Sequence, residues 1–469
     1  MINRRQLLSN AGAAGLFSAS GLGAMLGGFN ARAADSSGYK ALVCVFLNGG
    51  LDSHDTILPY DAASYNAFAA IRDTIFPSYD NDSRDRANLL PLTPSNAADY
   101  GSRQFAMPPE MSALRDLVNG GQAAVVGNVG PLLEPITLNE YRSRGELLPA
   151  RLFSHNDQQS TWMALSPEGA QYGWGGAFAD AHLLGASSTE RTFSAIGVSN
   201  NSVFLSGEQA RPYKVTPDGD LDFRIADASR AVRSGLNLPP DVVSRLDDHF
   251  TGRGAAASNL FLRDVKAIHE SAIDANALFS SAMASASSVP TVFPSSYLGA
   301  QLRSVAETIG IRNQLGVRRQ VFFVSLGGFD THASQGFLLP DLQRQVAEAI
   351  AAFYQSTVDL GVASEVTLFT ASDFGRTLTI NGSGTDHGWG GHHFVVGGAV
   401  QGGRIYGDIP PHDVDHDLDV GRGRLLPTAS VEQYAATLGK WFGLSGGELR
   451  AALPNLANFS TTDLGFMTV

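Results

Sequence analysis

Disulfides cannot hold this chain together, because its 469 residues include one cysteine, Cys44. Its stability must come from apolar burial instead. Cys44 stands within Ala41-Leu42-Val43-Cys44-Val45-Phe46-Leu47, a run that predicts a buried strand and an inert core thiol. Positive charge is also short: 33 Lys and Arg against 45 Asp and Glu leave a formal net charge of -12. Nucleic acid and anionic membranes both need clustered Lys or Arg, so neither is an expected partner. Beyond the amino terminus no segment is long and apolar enough to span a bilayer, and no internal repeat is visible.

The amino terminus follows other rules. Asn3-Arg4-Arg5-Gln6-Leu7-Leu8 sets paired arginines before a weakly apolar stretch of Ala, Gly and Ser that closes near Ala31-Arg32-Ala33. A charged start, an apolar middle and a small-residue cleavage site predict a twin-arginine signal peptide over residues 1–33. The expected product is a periplasmic or extracellular protein of residues 34–469, more acidic once Arg4, Arg5 and Arg32 are gone.

Three apolar runs of strand length end in polar or glycine-rich turns. Ala41–Leu47 leads into Asn48-Gly49-Gly50-Leu51-Asp52, and Gln320–Leu326 into Gly327-Gly328-Phe329-Asp330-Thr331-His332. Glu365–Thr370 leads into Ala371-Ser372-Asp373-Phe374-Gly375-Arg376, and Ala123–Val129 is a fourth strand candidate. Unbroken apolar strands predict a mostly parallel sheet covered by helices on both faces. Helical spacing links Phe261, Val265, Ile268, Ala272, Ala275 and Phe279, and again Leu342, Val346, Ile350, Phe353 and Tyr354. Val431–Phe442 reads as a further helix stopped by Gly443, and Ser285–Ser296 as a loop. Residues 60–110, rich in Asp, Asn, Ser and Pro, read as an irregular surface insertion. The fold class is α/β, in which sites gather at the carboxyl ends of strands.

Asp and His residues fall at those ends. Asp330 and His332 follow one strand, Asp373 the next, and Asp386-His387-Gly388 comes soon after, with His392 and His393 close behind. Imidazole nitrogen with carboxylate oxygen suits zinc, manganese or iron better than calcium. The competing reading is that these groups cap helices and hold loops. Weaker signals are set aside. Gly443-Leu444-Ser445-Gly446-Gly447 follows a helix, whereas a nucleophile elbow follows a strand, so Ser445 is expected to cap the next helix. Asp413, Asp415, Asp417 and Asp419 lack the glycine and glutamate of a calcium loop and read as a solvated acidic stretch. His54, His182, His249 and His269 have no partners visible in sequence and read as ordinary surface or core residues.

The chain resembles a twin-arginine-exported bacterial family of unknown function placed in the alkaline phosphatase and sulfatase superfamily. The resemblance rests on the leader, Leu47–Asp52, Gly327–His332, Ser372–Thr377, Gly384–Gly388, Val431–Leu438 and Leu464–Met467. It implies an alkaline-phosphatase-like fold. It also implies one metal held by Asp330, His332 and His387. A second metal place would use Asp373 and an Asp after the first strand. Phe374 replaces the His expected beside Asp373, and Asn48 the expected Asp, with Asp52 four residues on. One divalent ion, zinc or manganese, is therefore expected rather than two. Ser154 is the candidate nucleophile, with a helix-capping role equally open to it. His155 is a candidate base or ligand, and Arg376 a candidate clamp for a small anionic ester. The expected function is metal-dependent hydrolysis of a phosphate or sulfate ester. The alternative is a catalytically degenerate binding or envelope-assembly protein on the same fold.

Overall fold

The computed structural model describes residues 34–35, 37–198, 203–217 and 260–468, without the side chains of 260–270. The signal-peptide segment and His249 lie outside the described residues, as does the side chain of His269. The strands of the main sheet are β1 (Lys40–Leu47), β2 (Ala123–Gly130), β3 (Ala195–Gly197), β4 (Tyr213–Lys214) and β5 (Arg319–Leu326). They continue with β6 (Val366–Ser372), β7 (Gly391–Val396), β8 (Ile405–Gly407) and β9 (Ala429–Ser430). Their order is β8-β2-β7-β6-β1-β5-β3-β4, with β9 also paired to β2. All pairs are parallel except the two made by β7. The mixed α/β architecture with a mostly parallel sheet is as expected from the apolar runs.

Alternation along β1 divides the core between two faces, because successive strand side chains point to opposite sides. The helices are α1 (Ala62–Arg72), α2 (Ser112–Asn119), α3 (His155–Ala164), α4 (Trp174–Asp180) and α5 (Leu260–Ala284). Later come α6 (Tyr297–Gly310), α7 (Gln335–Asp359) and α8 (Val431–Phe442). Val43, Val45 and Leu47 pack with Leu114, Leu302, Val346 and Ile350 from α2, α6 and α7. Leu42, Cys44 and Phe46 pack with Trp162, Phe178, Tyr434 and Leu438 from α3, α4 and α8. Each fully buried side chain of this kind contributes about 1.5–3 kcal/mol. Cys44 is buried, and burial pushes its thiol pKa up, as an inert core residue requires. No helix among the described residues is long and apolar enough to cross a membrane.

Helix boundaries follow their local chemistry. Ser430 accepts from the Gln433 N–H while the Gln433 side chain returns to the Ser430 N–H, and Gly443 at φ 112° ends α8. Ser445 caps Gly446–Ala452 in the same manner, so its hydroxyl serves a helix. The acidic stretch is mostly exposed, although Asp419 is buried and accepts the N–H groups of Asp415, Gly421 and Gly423.

Residues 60–110 depart from the expectation of a surface insertion. They hold α1 and part of a small antiparallel sheet, and they bury the guanidinium groups of Arg72 and Arg84. Polar composition hid this, because the buried charges have partners elsewhere in the chain.

His54, His393 and His412 are fully buried, and burial lowers their pKa values to about 4, 3 and 3. Below their unfolded pKa, near 6.5, the unfolded chain takes up protons that the folded chain refuses. Stability from these groups is therefore complete above that value and falls as pH drops towards the folded pKa values. Going from pH 7 to pH 5 should cost up to about 5 kcal/mol of unfolding free energy. Denaturant melts at the two pH values test this, and His393→Phe should reduce the difference by about 2 kcal/mol. A pH-independent midpoint would refute it.

Candidate metal centre

Three loops leave the sheet at one level. Leu47 pairs with Leu326 on one side and Ser372 on the other, so the turns after β1, β5 and β6 are neighbours. Glycines let them touch. Gly49 and Gly50 have φ of 116° and 92°; a Cβ on Gly49 would lie 2.3 Å from the Asp330 nitrogen. A Cβ on Gly50 would lie 2.6 Å from the Phe374 ring. No other residue type fits either position.

Onto this platform come α3, carrying His155, and a hairpin of Arg376–Asn381 with Gly384–His387. Asp330 is the focus. Its Oδ1 lies 3.0 Å from His332 Nε2 and 3.2 Å from His387 Nε2, and its Oδ2 lies 3.3 Å from His155 Nε2. His332 Nε2 and His387 Nε2 are 2.9 Å apart. Ligand atoms of His155, Asp330 and His387 lie within 4.8 Å of one another.

The other nitrogen of each ring is engaged. His155 Nδ1 meets Asp373 Oδ2 at 2.6 Å, His387 Nδ1 meets the Phe153 carbonyl at 2.8 Å, and His332 Nδ1 meets Asp386 Oδ1 at 3.2 Å. These partners only accept, so each Nδ1 carries a proton and each ring turns its Nε2 towards Asp330, as a lone pair whenever the ring is neutral. Lone pairs and a carboxylate at such spacing repel one another unless a cation or proton lies between them. Metal–ligand distances of about 2.0–2.1 Å give ligand–ligand edges of about 3.3 Å, a spacing that His155, Asp330 and His387 approach, while His332 lies against Asp330 and His387 and outside that group. Three imidazoles and one carboxylate suit zinc or manganese, whereas calcium wants six to eight oxygens.

Electrostatics separate the members of the cluster. Burial raises the Asp330 carboxyl pKa, but the Arg376 hydrogen bond and charge outweigh it and hold the group ionised. The Asp373 hydrogen bond raises His155, while burial lowers His387. Phe374 packs against both rings, with centroids 4.8 and 4.5 Å away.

Several expected site residues do other work. Asp373 is fully buried; its oxygens take His155, the Gln159 amide at 2.8 Å and the Gly49 N–H at 3.1 Å. It aims His155 and is not itself in the group around Asp330. Asp52 is buried away from the cluster, bound by Arg72 at 2.7 and 3.2 Å, and it caps the turn Ser53–Asp55. Burial raises its carboxyl pKa, and the Arg72 charge more than offsets this. Arg376 is also buried. Its donors reach Asp330, Gly49 O and Thr385, which leaves it a brace for Asp330 and no clamp for a substrate. Ser154 precedes α3 as its N-cap residue, but its hydroxyl donates to Asp157 at 2.9 Å and bonds to none of the cluster. His392 and His393 lie in the core strand β7, His392 accepting the Asn128 N–H and His393 packing on Trp162.

Gln159 and the Phe153 carbonyl are supporting groups that the motifs did not single out, and Asp386, named beside His387, was given no role of its own. Gln159 was within reach, one helical turn from His155 on the same face. Asp386 adjoins His387 in sequence yet serves His332. A backbone carbonyl has no sequence signature.

Residues 39–453 match the family model described as Protein of unknown function (DUF1501). The chain belongs to that family. Its members' shared segment thus includes all the residues of the centre. No curated protein matches the chain. Two solved structures are similar: one described as "Crystal structure of Ps i-CgsB in complex with k-i-k-neocarrahexaose" and one as "Crystal structure of Ps i-CgsB". The first has 8% identity and a TM-score of 0.36 over 91% of this chain and 77% of that one. The second has 9% identity and a TM-score of 0.31 over 90% and 77%. Likeness at that level carries no statement about fold or activity.

The buried Asp52–Arg72 pair allows a direct check of its structural role. Asp52→Ala leaves the Arg72 charge buried and alone, which should cost about 3–5 kcal/mol. Urea melts in the presence of a chelator measure this free of any metal effect. A loss below about 1 kcal/mol would refute the assignment.

Proposed function

We propose that this chain is an exported, metal-dependent hydrolase of phosphate or sulfate esters on an alkaline-phosphatase-like scaffold. What supports the reading is one observation: ligand atoms of His155, Asp330 and His387 lie within 4.8 Å of one another at adjoining strand ends, with His332 beside them and each ring fixed by a partner behind it. One divalent ion, zinc or manganese, would be held by Asp330, His155, His332 and His387. Such a cation supplies Lewis acidity, which acidifies a water molecule and offsets charge developing on the ester.

The protein's own groups have distinct tasks. Arg376 keeps Asp330 charged and aimed, and Asp373 keeps His155 in the tautomer that presents Nε2. His387 is held likewise by the Phe153 carbonyl. With the Ser154 hydroxyl committed to Asp157, water is the better nucleophile. The small anionic ester would meet the site in the periplasm or outside the cell, as the paired-arginine leader suggests. A second reading has its own support. Asp52 and Asp373 are both committed to structural partners, so the second metal place of the superfamily has no carboxylate to offer. A binding or envelope-assembly protein with one retained metal fits that loss.

Elemental analysis after incubation with zinc or manganese should find about one equivalent bound. Asp330→Asn should lower metal affinity by about 100-fold or more. Screens with aryl phosphates, phosphodiesters and sulfates should reveal turnover that depends on Asp330 and His387. Ser154→Ala should keep turnover within about threefold, and a larger loss would restore serine as nucleophile. Absence of any bound metal would sink the hydrolase, while metal without turnover on any ester would favour the binding protein.

A further inference from the structure

We propose that Gln335 and Thr385 are positioning residues for Asp330, acting on it through Arg376; the proposal rests on the metal reading above. Asp330 is the most exposed member of its centre, its side chain 43% accessible, and it follows two glycines on a loop. A carboxylate in that setting needs a rigid donor behind it if it is to hold one rotamer. Arg376 is that donor, and what holds Arg376 is a chain of hydrogen bonds with a single sense.

The sense originates at Asp52. Its carboxylate can only accept, so the Gln335 amide must turn its NH2 towards it, at 2.8 Å. The same NH2 reaches the Tyr79 hydroxyl at 3.2 Å. The Gln335 carbonyl then faces the hydroxyls of Thr331 and Thr385, which donate at 3.0 and 2.8 Å. Having spent its proton, Thr385 Oγ1 offers a lone pair to Arg376 Nε at 3.2 Å. Arg376 Nη1 completes the chain by donating to Asp330 Oδ1 at 2.7 Å and to Gly49 O at 2.9 Å. Asp52, Gln335, Thr385 and Arg376 are each at most 1% exposed, so water cannot replace a lost partner. Reversing one amide would set carbonyl against carboxylate and leave both threonine protons without an acceptor. Asp52 at one end and the donor-only guanidinium of Arg376 at the other thus demand the same orientation of the Gln335 amide and the Thr385 hydroxyl between them.

The test uses the full mature chain with two readouts. One is zinc affinity by chelator competition. The other, in metal-free protein, is the hydrogen-exchange rate of the Arg376 Nε–H, read by NMR after labelling arginine with nitrogen-15. Thr385→Val keeps shape and removes the lone pair; it should weaken zinc binding about tenfold or more and speed exchange about tenfold. Thr385→Ser should stay within about twofold of the parent in both readouts. Gln335→Met should behave like Thr385→Val, and the double variant should be no worse than the weaker single, since both cut one chain. Should Val not fold at position 385, Thr385→Ala serves the same purpose.

Parental affinity and exchange in Thr385→Val would overturn the proposal. So would a Thr385→Ser variant as impaired as Thr385→Val, or additive losses in the double variant. If the parent takes no zinc but Thr385→Val still frees the Arg376 proton, the metal reading falls and the bracing chain stands. If neither effect is seen, both fall.

Discussion

Leu47, Leu326 and Ser372 end three adjacent parallel strands at the same height, and the centre depends on that alignment. Parallel strands send their following loops out on one side, so residues hundreds of positions apart emerge together. The Gly49-Gly50 pair then lets the first loop lie flat against the other two. A residue with a side chain at either position would push Asp330 or Phe374 away, and the imidazoles with them.

Environment sorts the carboxylates that composition cannot tell apart. Asp52, Asp330, Asp373 and Asp386 all stand near the carboxyl ends of strands or in the adjoining hairpin. Asp52 meets a guanidinium in the interior and becomes a structural anion. Asp373, equally buried, meets an imidazole and becomes its orienter. Asp386, paired with Arg422 and Asn381, steadies His332. Only Asp330 keeps an oxygen at an open surface beside several Nε2 atoms. The distinction is one of partners and access, each set by packing far from the residue itself.

Much of the fold was legible because the relevant signals are local. Apolar runs marked β1, β2, β5 and β6 to within two residues, and the period of α7 and the Gly443 stop of α8 needed no distant information. Asp330, His332 and His387 were legible as a group because each follows a strand or adjoins its glycine turn. What stayed hidden was pairing. Arg72 lies in an unremarkable helix of a polar region, and nothing in its surroundings names Asp52 as its partner. His392 and His393 have the composition of ligands but the register of a core strand. His155 was visible as a candidate, but its contact with Asp373, which aims the ring, joins residues more than two hundred positions apart.

The antiparallel strand β7 has an effect on how the chain can vary. Because it runs back through the sheet, the connection from β6 starts and finishes on the same side, with no crossover helix to thread. The hairpin with Thr385, Asp386 and His387 is therefore an excursion out of the scaffold and home again. Its tip at Gly382 and Ser383 is exposed, yet Ser383 accepts the N–H groups of Ser334 and Gln335 and so ties the bend to the start of α7. A change of length at that bend would reach Gln335 before it reached the sheet.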